Sequence, residues 1–454
     1  QPSVDITPEM KESVMQGQTS FQLKGFELEK ESFREMVERK LVDSLNRLKK
    51  VQTAIGDVSE DEDAYMKAEL YIGKASEKID VFRDEIEVFV KELVDDGNNL
   101  GDFGNYLYAL HAKERNASLK ERFPDRWDED SSPSGMSDSE AQNIIKNSDP
   151  RLKDFEKKFR KDVIQKRLKN LFDAGMITQE TYDLFSSKEV YGNYVPLKGI
   201  SEKESMMGIG QGFSTSGKDI KRAYGRSSKA KNPFIQALVD FEESIIRIEK
   251  NEVGKALLNL VENNPNEYLW EAKGLRHKPV YDKDGEIEFM QPDQLRDNQV
   301  AVHIDGKTKV ITIHDEKLVS GIKKVGMTRG IPLLTQANAY FRAINTYYNP
   351  EFLITNFSRD LQTANIHLSG EKGTKLAGKV TKSIPGAMKG IWRESRGKKG
   401  NEWSKWYRRF KSQGGRMGWF DEMTVEEKSA RLERQINRLQ KQGKYANALR
   451  ATAN

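Results

Sequence analysis

Hydrophobic positions in this chain recur mostly at steps of three and four. Val37, Leu41, Ser44, Leu48, Val51 and Ile55 form one such stripe. Tyr65, Ala68, Ile72, Ala75, Ile79, Phe82, Ile86, Phe89 and Leu93 form a second, an unbroken heptad-like seam. The two predict a long antiparallel hairpin, with helices over 29–55 and 62–95. Gly56–Asp61 joins them, and Ser59 with Glu62 forms a capping box. A seam this long must be covered, by the first helix or by a partner chain.

Further along, Tyr106–Asn116 reads as a short helix, and the Pro-, Asp- and Ser-rich stretch 123–136 as a loop. Ser137 with Glu140 makes another capping box, and Asp149-Pro150 a helix start. Phe155, Phe159, Val163, Leu168, Leu171 and Phe172 predict a helix ending at Gly175. Residues 186–232 carry seven glycines and read as an irregular loop. A helix from Pro233 to Glu262 buries Phe234, Leu238, Phe241, Ile245, Ile248, Val253 and Leu257. Alternation flanks Asp284-Gly285 and Asp305-Gly306, the signature of tight hairpins, within 268–314. Asn349-Pro350-Glu351 opens a helix whose stripe is Leu353, Phe357, Leu361, Ala364 and Leu368. Asn349, Asn356, Arg359 and Asp360 beside it read as an internal polar clasp. Thr424 with Glu427 caps a closing helix.

The expected fold is mainly α. It is an elongated multi-helix assembly with an N-terminal antiparallel helical hairpin and a small inserted antiparallel β-meander. The divisions are 1–25, the tail of an upstream module; 26–98, the hairpin; 99–265, a helical domain; 266–316, the meander; and 317–454, a C-terminal helical region. The first residue is Gln1, which fits a processed chain or a piece of a longer one.

Composition agrees with long, water-washed helices, since 32% of residues are charged and only 36% hydrophobic. Cysteine is absent, which excludes disulfide and thiol chemistry. No apolar run approaches the roughly 20 residues that span a bilayer. Charge is unevenly placed: residues 371–416 hold fourteen Lys and Arg against three acids, with Trp392, Trp403, Trp406, Tyr407 and Phe410 interleaved. Lys389, Arg393, Arg396, Lys398, Lys399, Arg408 and Arg409 are its candidate contacts for DNA or an anionic membrane surface. A solvated helix face with its aromatics turned inward is the other reading. A second basic cluster, with Lys221, Arg222, Arg226, Lys229 and Lys231, lies in the Gly- and Ser-rich loop and suits phosphate clasping or ordering against a neighbour.

Catalytic and cofactor signatures do not assemble. The histidines, at 111, 277, 303, 314 and 367, have no metal-ligand spacing. Gly208-Ile-Gly-Gln-Gly212 lacks the strand before it and the Lys-Ser/Thr after it that a phosphate loop needs. The expectation is a segment without catalytic residues, cofactor or metal.

Several segments together resemble the large polyvalent protein-associated domains carried by giant proteins of tailed phages and conjugative elements. They are Tyr106–Asn116, Ser134–Ala141, Tyr194-Val-Pro-Leu-Lys198, Gly225–Pro233, Glu249–Val253, Asn349–Asp360 and Gly414-Gly415. Lys198-Gly199-Ile200 stands where the family has Arg-Phe-Gly. The resemblance spans about residues 100–420. It implies an internal virion or ejection protein, resident in the virion interior or tail and reaching the host envelope or cytoplasm after ejection. Its implied partners are portal, tail or fellow ejection proteins, copies of itself in the particle, DNA and anionic membrane. A DNA-coating anti-restriction factor, and an accessory domain of a giant phage enzyme with its active site elsewhere, are the alternatives.

Overall fold

The computed structural model describes residues 21–23, 26–28, 45–187, 192–197, 215, 225–281, 287–323, 325, 374–395 and 400–414. The chain divides into two units, residues 1–327 with 418–454, and residues 328–417. The protein is mainly helical, with a small three-stranded antiparallel sheet.

The first unit begins with a short antiparallel pair, β1 (Phe21–Leu23) and β2 (Phe26–Leu28). Helices α1 (Asn46–Ile55), α2 (Ala64–Asp95) and α3 (Leu100–Arg122) follow. Asp63, rather than the expected Ser59–Glu62 box, caps α2 by accepting from the Met66 amide. A left-handed Gly97 ends it: its amide reaches the Val94 carbonyl, and that of Asn98 reaches Leu93. The seam within α2 is as expected, but its cover is different. Among the described residues, Leu48 and Val51 of α1 pack on the start of α2, at Ala64, Ala68 and Tyr71. There Gln52 donates to Asp63 and accepts from the Tyr65 amide.

The remainder of the seam packs within this same chain, on α3 and on α8 (Pro233–Asn263). Phe82 stacks on Phe241 with ring centroids 3.9 Å apart. Phe89, Phe103, Phe159 and Phe234, from four separate helices, meet with centroids 5.3 to 6.5 Å apart. Four large rings in contact give this core its strongest apolar contribution.

Helix α4 (Asp138–Asn147) starts at Ser137, whose hydroxyl accepts from the Glu140 amide. The expected 155–172 helix is α5 (Leu152–Phe159) and α6 (Lys166–Asp173), joined by a π-helical stretch, Arg160–Gln165. Its apolar steps are four and four to Val163, then five to Leu168. The wider π turn takes up the additional residue, so Phe159, Val163, Leu168 and Leu171 all stay buried. Gly175, at φ +67°, closes α6 as expected, and α7 (Gln179–Ser186) follows.

Helix α8 is capped by Asn232 and has Pro233 in its first turn. It is buried nearly all round, not on one stripe. Glu242, Arg247, Glu249, Lys250 and Asn251 are all buried beside the expected apolar residues. Each finds a partner, as buried charge requires. Arg83 of α2 grips Glu242 with two bonds of 2.7 and 2.9 Å, Lys78 bonds Glu249, and Arg247 donates to the Thr215 carbonyl at 2.8 Å.

The sheet has the order β3 (Trp270–Gly274), β7 (Lys307–Ile313), β6 (Gln299–Ile304). Asp305 and Gly306, both at positive φ, make the expected tight turn between β6 and β7. β4 (His277–Tyr281) and β5 (Ile287–Pro292) pair as a separate hairpin, so β3 pairs with the last strand. The free edge of β6 is covered by side chains. Asn251 both donates to the His303 carbonyl and accepts from its amide, at 2.8 Å each, and Thr215 bonds the Ala301 carbonyl. An edge filled in this way cannot pair with another strand. Helix α9 (Glu316–Lys323) is tied to α1 by Arg47–Asp315 at 2.7 Å.

In the second unit, α10 (Thr374–Ser395) and α11 (Glu402–Ser412) pack against each other. The Asn349–Asp360 helix and its clasp residues Asn349, Asn356, Arg359 and Asp360 lie outside the described residues, as do residues 29–44 and the closing helix from Thr424. No described helix is long and apolar enough to cross a membrane.

Candidate functional site

Two places gather polar chemistry. The first is on α3, where helical spacing puts Tyr108, His111 and Arg115 on one face. Tyr108 is buried. Its hydroxyl donates to the Ser134 carbonyl at 2.7 Å and accepts from the Ala230 amide at 3.0 Å. Asn116, also buried, accepts from the Ser134 amide and donates to the Met136 carbonyl and Asp138. The Arg226 amide donates to the Pro133 carbonyl at 2.8 Å. Gly135, at φ +84°, lets the 228 backbone approach: a Cβ there would lie 2.2 Å from the Ser228 oxygen. On another side the Tyr194 ring meets His111 edge-on, centroids 5.4 Å apart, and Asn193 bonds Glu114. Segments 106–116, 134–141, 193–197 and 225–232, distant in sequence, therefore share one site.

That site is rich in cations and poor in partners. Both ring nitrogens of His111, Nε of Arg115, and Nε and Nη1 of Arg226 are buried without a hydrogen-bond partner. Arg226 spends Nη2 on the Ser228 hydroxyl at 2.8 Å. Burial pushes the His111 imidazole below its usual pKa, against the pull of Glu114, whose carboxylate is 3.7 Å away. Burial likewise lowers Arg115, with the Arg226 charge acting in the same direction. The Tyr108 phenol is raised by burial, although the Ala230 amide and both arginines oppose this. Burial presses Glu114 upward, but His111, Asn193 and Arg160 prevail and hold it below the usual range.

The second place is the helical pair α10–α11. Gly386 and Gly390, one turn apart on α10, seat Trp403: a Cβ on Gly390 would fall 2.6 Å from the Trp403 Cβ. Ser404, fully buried, donates to the Gly390 carbonyl at 2.9 Å. This close approach leaves Trp403 only partly exposed, and Trp406 and Phe410 beyond it more exposed. Trp403, Trp406 and Phe410, at steps of three and four, are 39%, 61% and 55% exposed. Lys405, Arg408 and Arg409 surround them, all exposed, with Arg409 over the Trp406 ring at 5.7 Å. On α10, Lys379, Lys382, Lys389 and Met388 are exposed, and Arg393 is half-buried.

The sequence-derived candidates are thus separated. Lys389, Arg408 and Arg409 stand on an open cationic surface. Arg226 is half-buried: its Nε and Nη1 lie inside the fold, while Nη2 bonds the exposed Ser228 hydroxyl. Lys229 is paired with Glu140 at 3.3 Å, and Lys231 is half-buried. Lys221, Arg222, Arg396, Lys398 and Lys399 lie outside the described residues. Sequence reasoning did not single out His111 with Arg115, although the tyrosine–histidine–arginine spacing of three and four on a helix was its available signal. Among the described residues no three metal-ligating side chains come together.

Comparison with protein-family models, curated proteins and solved structures finds no match to this chain.

Proposed function

We propose that this chain is a non-catalytic segment of a large phage internal virion protein, packaged and delivered with the genome, that engages an anionic membrane surface through α10–α11. One observation carries the contact: the open Trp406–Phe410 pair, with the partly exposed Trp403 beside it, ringed by Lys405, Arg408 and Arg409. Large apolar rings cost free energy in water, and a cationic rim around them matches an interface between headgroups and acyl chains. Each basic residue near such a surface contributes about 1 kcal/mol, and the excess of basic over acidic residues across 371–416 adds to this. The phage assignment is supported by the sequence resemblance described above.

The test is co-sedimentation with phosphatidylglycerol-containing and pure phosphatidylcholine vesicles over a range of salt. Binding to the anionic vesicles alone, weakened by salt and abolished by Trp406→Ser with Phe410→Ser, is expected. Equal binding to both vesicles, or none to either, would overturn the contact. Mass spectrometry of purified virions tests the packaging. A second reading, coating of incoming DNA against restriction, is favoured by the aromatic–cation interleaving, since bases stack on such rings. It predicts steeply salt-dependent DNA binding that charge reversal at Lys389, Arg393, Arg408 and Arg409 abolishes.

A further inference from the structure

We propose that His111, Arg115 and Arg226 line a binding site for a dianionic phosphoryl group, in the first unit and independent of the α10–α11 surface. Two guanidiniums share the electrostatic neighbourhood of the Tyr108 phenol and repel each other there. Neither has an ion-pair partner among the described residues. Arg226 holds two buried N–H groups and Arg115 one with no acceptor. His111, more than nine-tenths buried, has neither ring nitrogen in a hydrogen bond; the Glu114 carboxylate stands 3.7 Å from its Nδ1.

A protein seldom keeps buried donors unfilled, and it seldom holds two half-buried like charges together without a counter-charge. An anion supplies both needs. A carboxylate would neutralise one guanidinium; a phosphate dianion neutralises both and has three terminal oxygens for donors arriving from different directions. His111 then serves as an additional donor, because a nearby dianion favours the protonated imidazole that burial alone disfavours. Tyr108 does not contact the ligand through its hydroxyl, which is already engaged on both sides. It holds the 134 and 230 backbones in place, and with them Arg226. A bound phosphoryl group gives a single purpose to four segments that the fold brings together, and a reason for Arg226 to bury two of its donors.

The experiment is calorimetric titration of the full chain with inorganic phosphate at neutral pH, against acetate and sodium chloride at matched ionic strength. Saturable phosphate binding that neither control reproduces is expected. Arg226→Gln and Arg115→Gln should each weaken it at least roughly tenfold, in line with loss of one charge-assisted contact, while Lys229→Gln leaves it unchanged. Proton NMR of the wild-type histidines provides a readout that no variant's misfolding can spoil: the His111 ring signals should move with phosphate, and those of His277 should not. Adenosine monophosphate and glycerol 3-phosphate, titrated separately, distinguish a nucleotide from a lipid headgroup as the source of the phosphoryl group. Phosphate heats no larger than those of chloride, acetate binding as tightly as phosphate, or an unmoved His111 signal would each overturn the site.

Discussion

Removing Arg83 should cost more than removing the carboxylate it holds. Glu242 is only 1% exposed, and Arg83 supplies two hydrogen bonds to it, at 2.7 and 2.9 Å. Arg83→Ala leaves a negative charge in the core between α2 and α8, with water excluded. Breaking a buried pair from one side costs about 3–5 kcal/mol, a large share of the roughly 5–15 kcal/mol that holds a domain together. The reverse change is milder. Arg83 is 23% exposed, so in Glu242→Gln its guanidinium can turn to water and retain one bond to the amide. About 1–2 kcal/mol is expected for it. The double variant, Arg83→Ala with Glu242→Gln, removes the stranded charge and should be more stable than Arg83→Ala alone. Urea unfolding followed by circular dichroism gives the three values. Arg83→Ala costing under about 1 kcal/mol, or a double variant no better than Arg83→Ala, would show that the pair is not the buried clamp described.

Other outcomes follow from the packing. Phe234→Ala, at the meeting of four rings, should cost about 3–5 kcal/mol in the same unfolding assay. Asn116→Ala strands the Ser134 amide and two further polar groups; about 2–4 kcal/mol should be lost, with faster hydrogen exchange over 134–138. Gly390→Leu places atoms inside the Trp403 and Ser404 contacts, so hydrogen exchange across 402–412 should rise sharply. His111 has its folded pKa depressed, so the unfolded chain takes up the proton first. Its contribution is therefore fully present above the unfolded value of about 6.5 and is lost as pH falls from there toward the folded value. In phosphate-free buffer, the wild type should lose more stability between about pH 7.5 and 5.5 than His111→Asn does, measured by urea midpoint.

The sequence by itself determined what local chemistry decides. The extent of α2, the start of α8 at Asn232-Pro233, the stop at Gly175 and the Asp305-Gly306 turn all follow from periodicity and from residues with one strong backbone preference. What covers each face is a different matter. The α2 seam calls for an apolar cover without naming it; among the described residues, tertiary structure gives its first turns to α1 and the rest to α8 and α3. Glu242, Arg247 and Glu249 look like a solvated face in sequence; only their partners on α2 and at Thr215 make burial affordable. The Arg226 loop and the His111 helix are separated by more than a hundred residues, and no local pattern encodes that they meet. Their meeting depends on Tyr108 bonding two backbones at once and on Gly135 admitting a third segment, so the candidate site exists only in the folded chain. The α10–α11 surface lies between these cases. Its charge and aromatics are plain in the sequence, but which aromatics stay open was decided by Gly386 and Gly390, which draw one side of α11 inward and leave Trp406 and Phe410 in water.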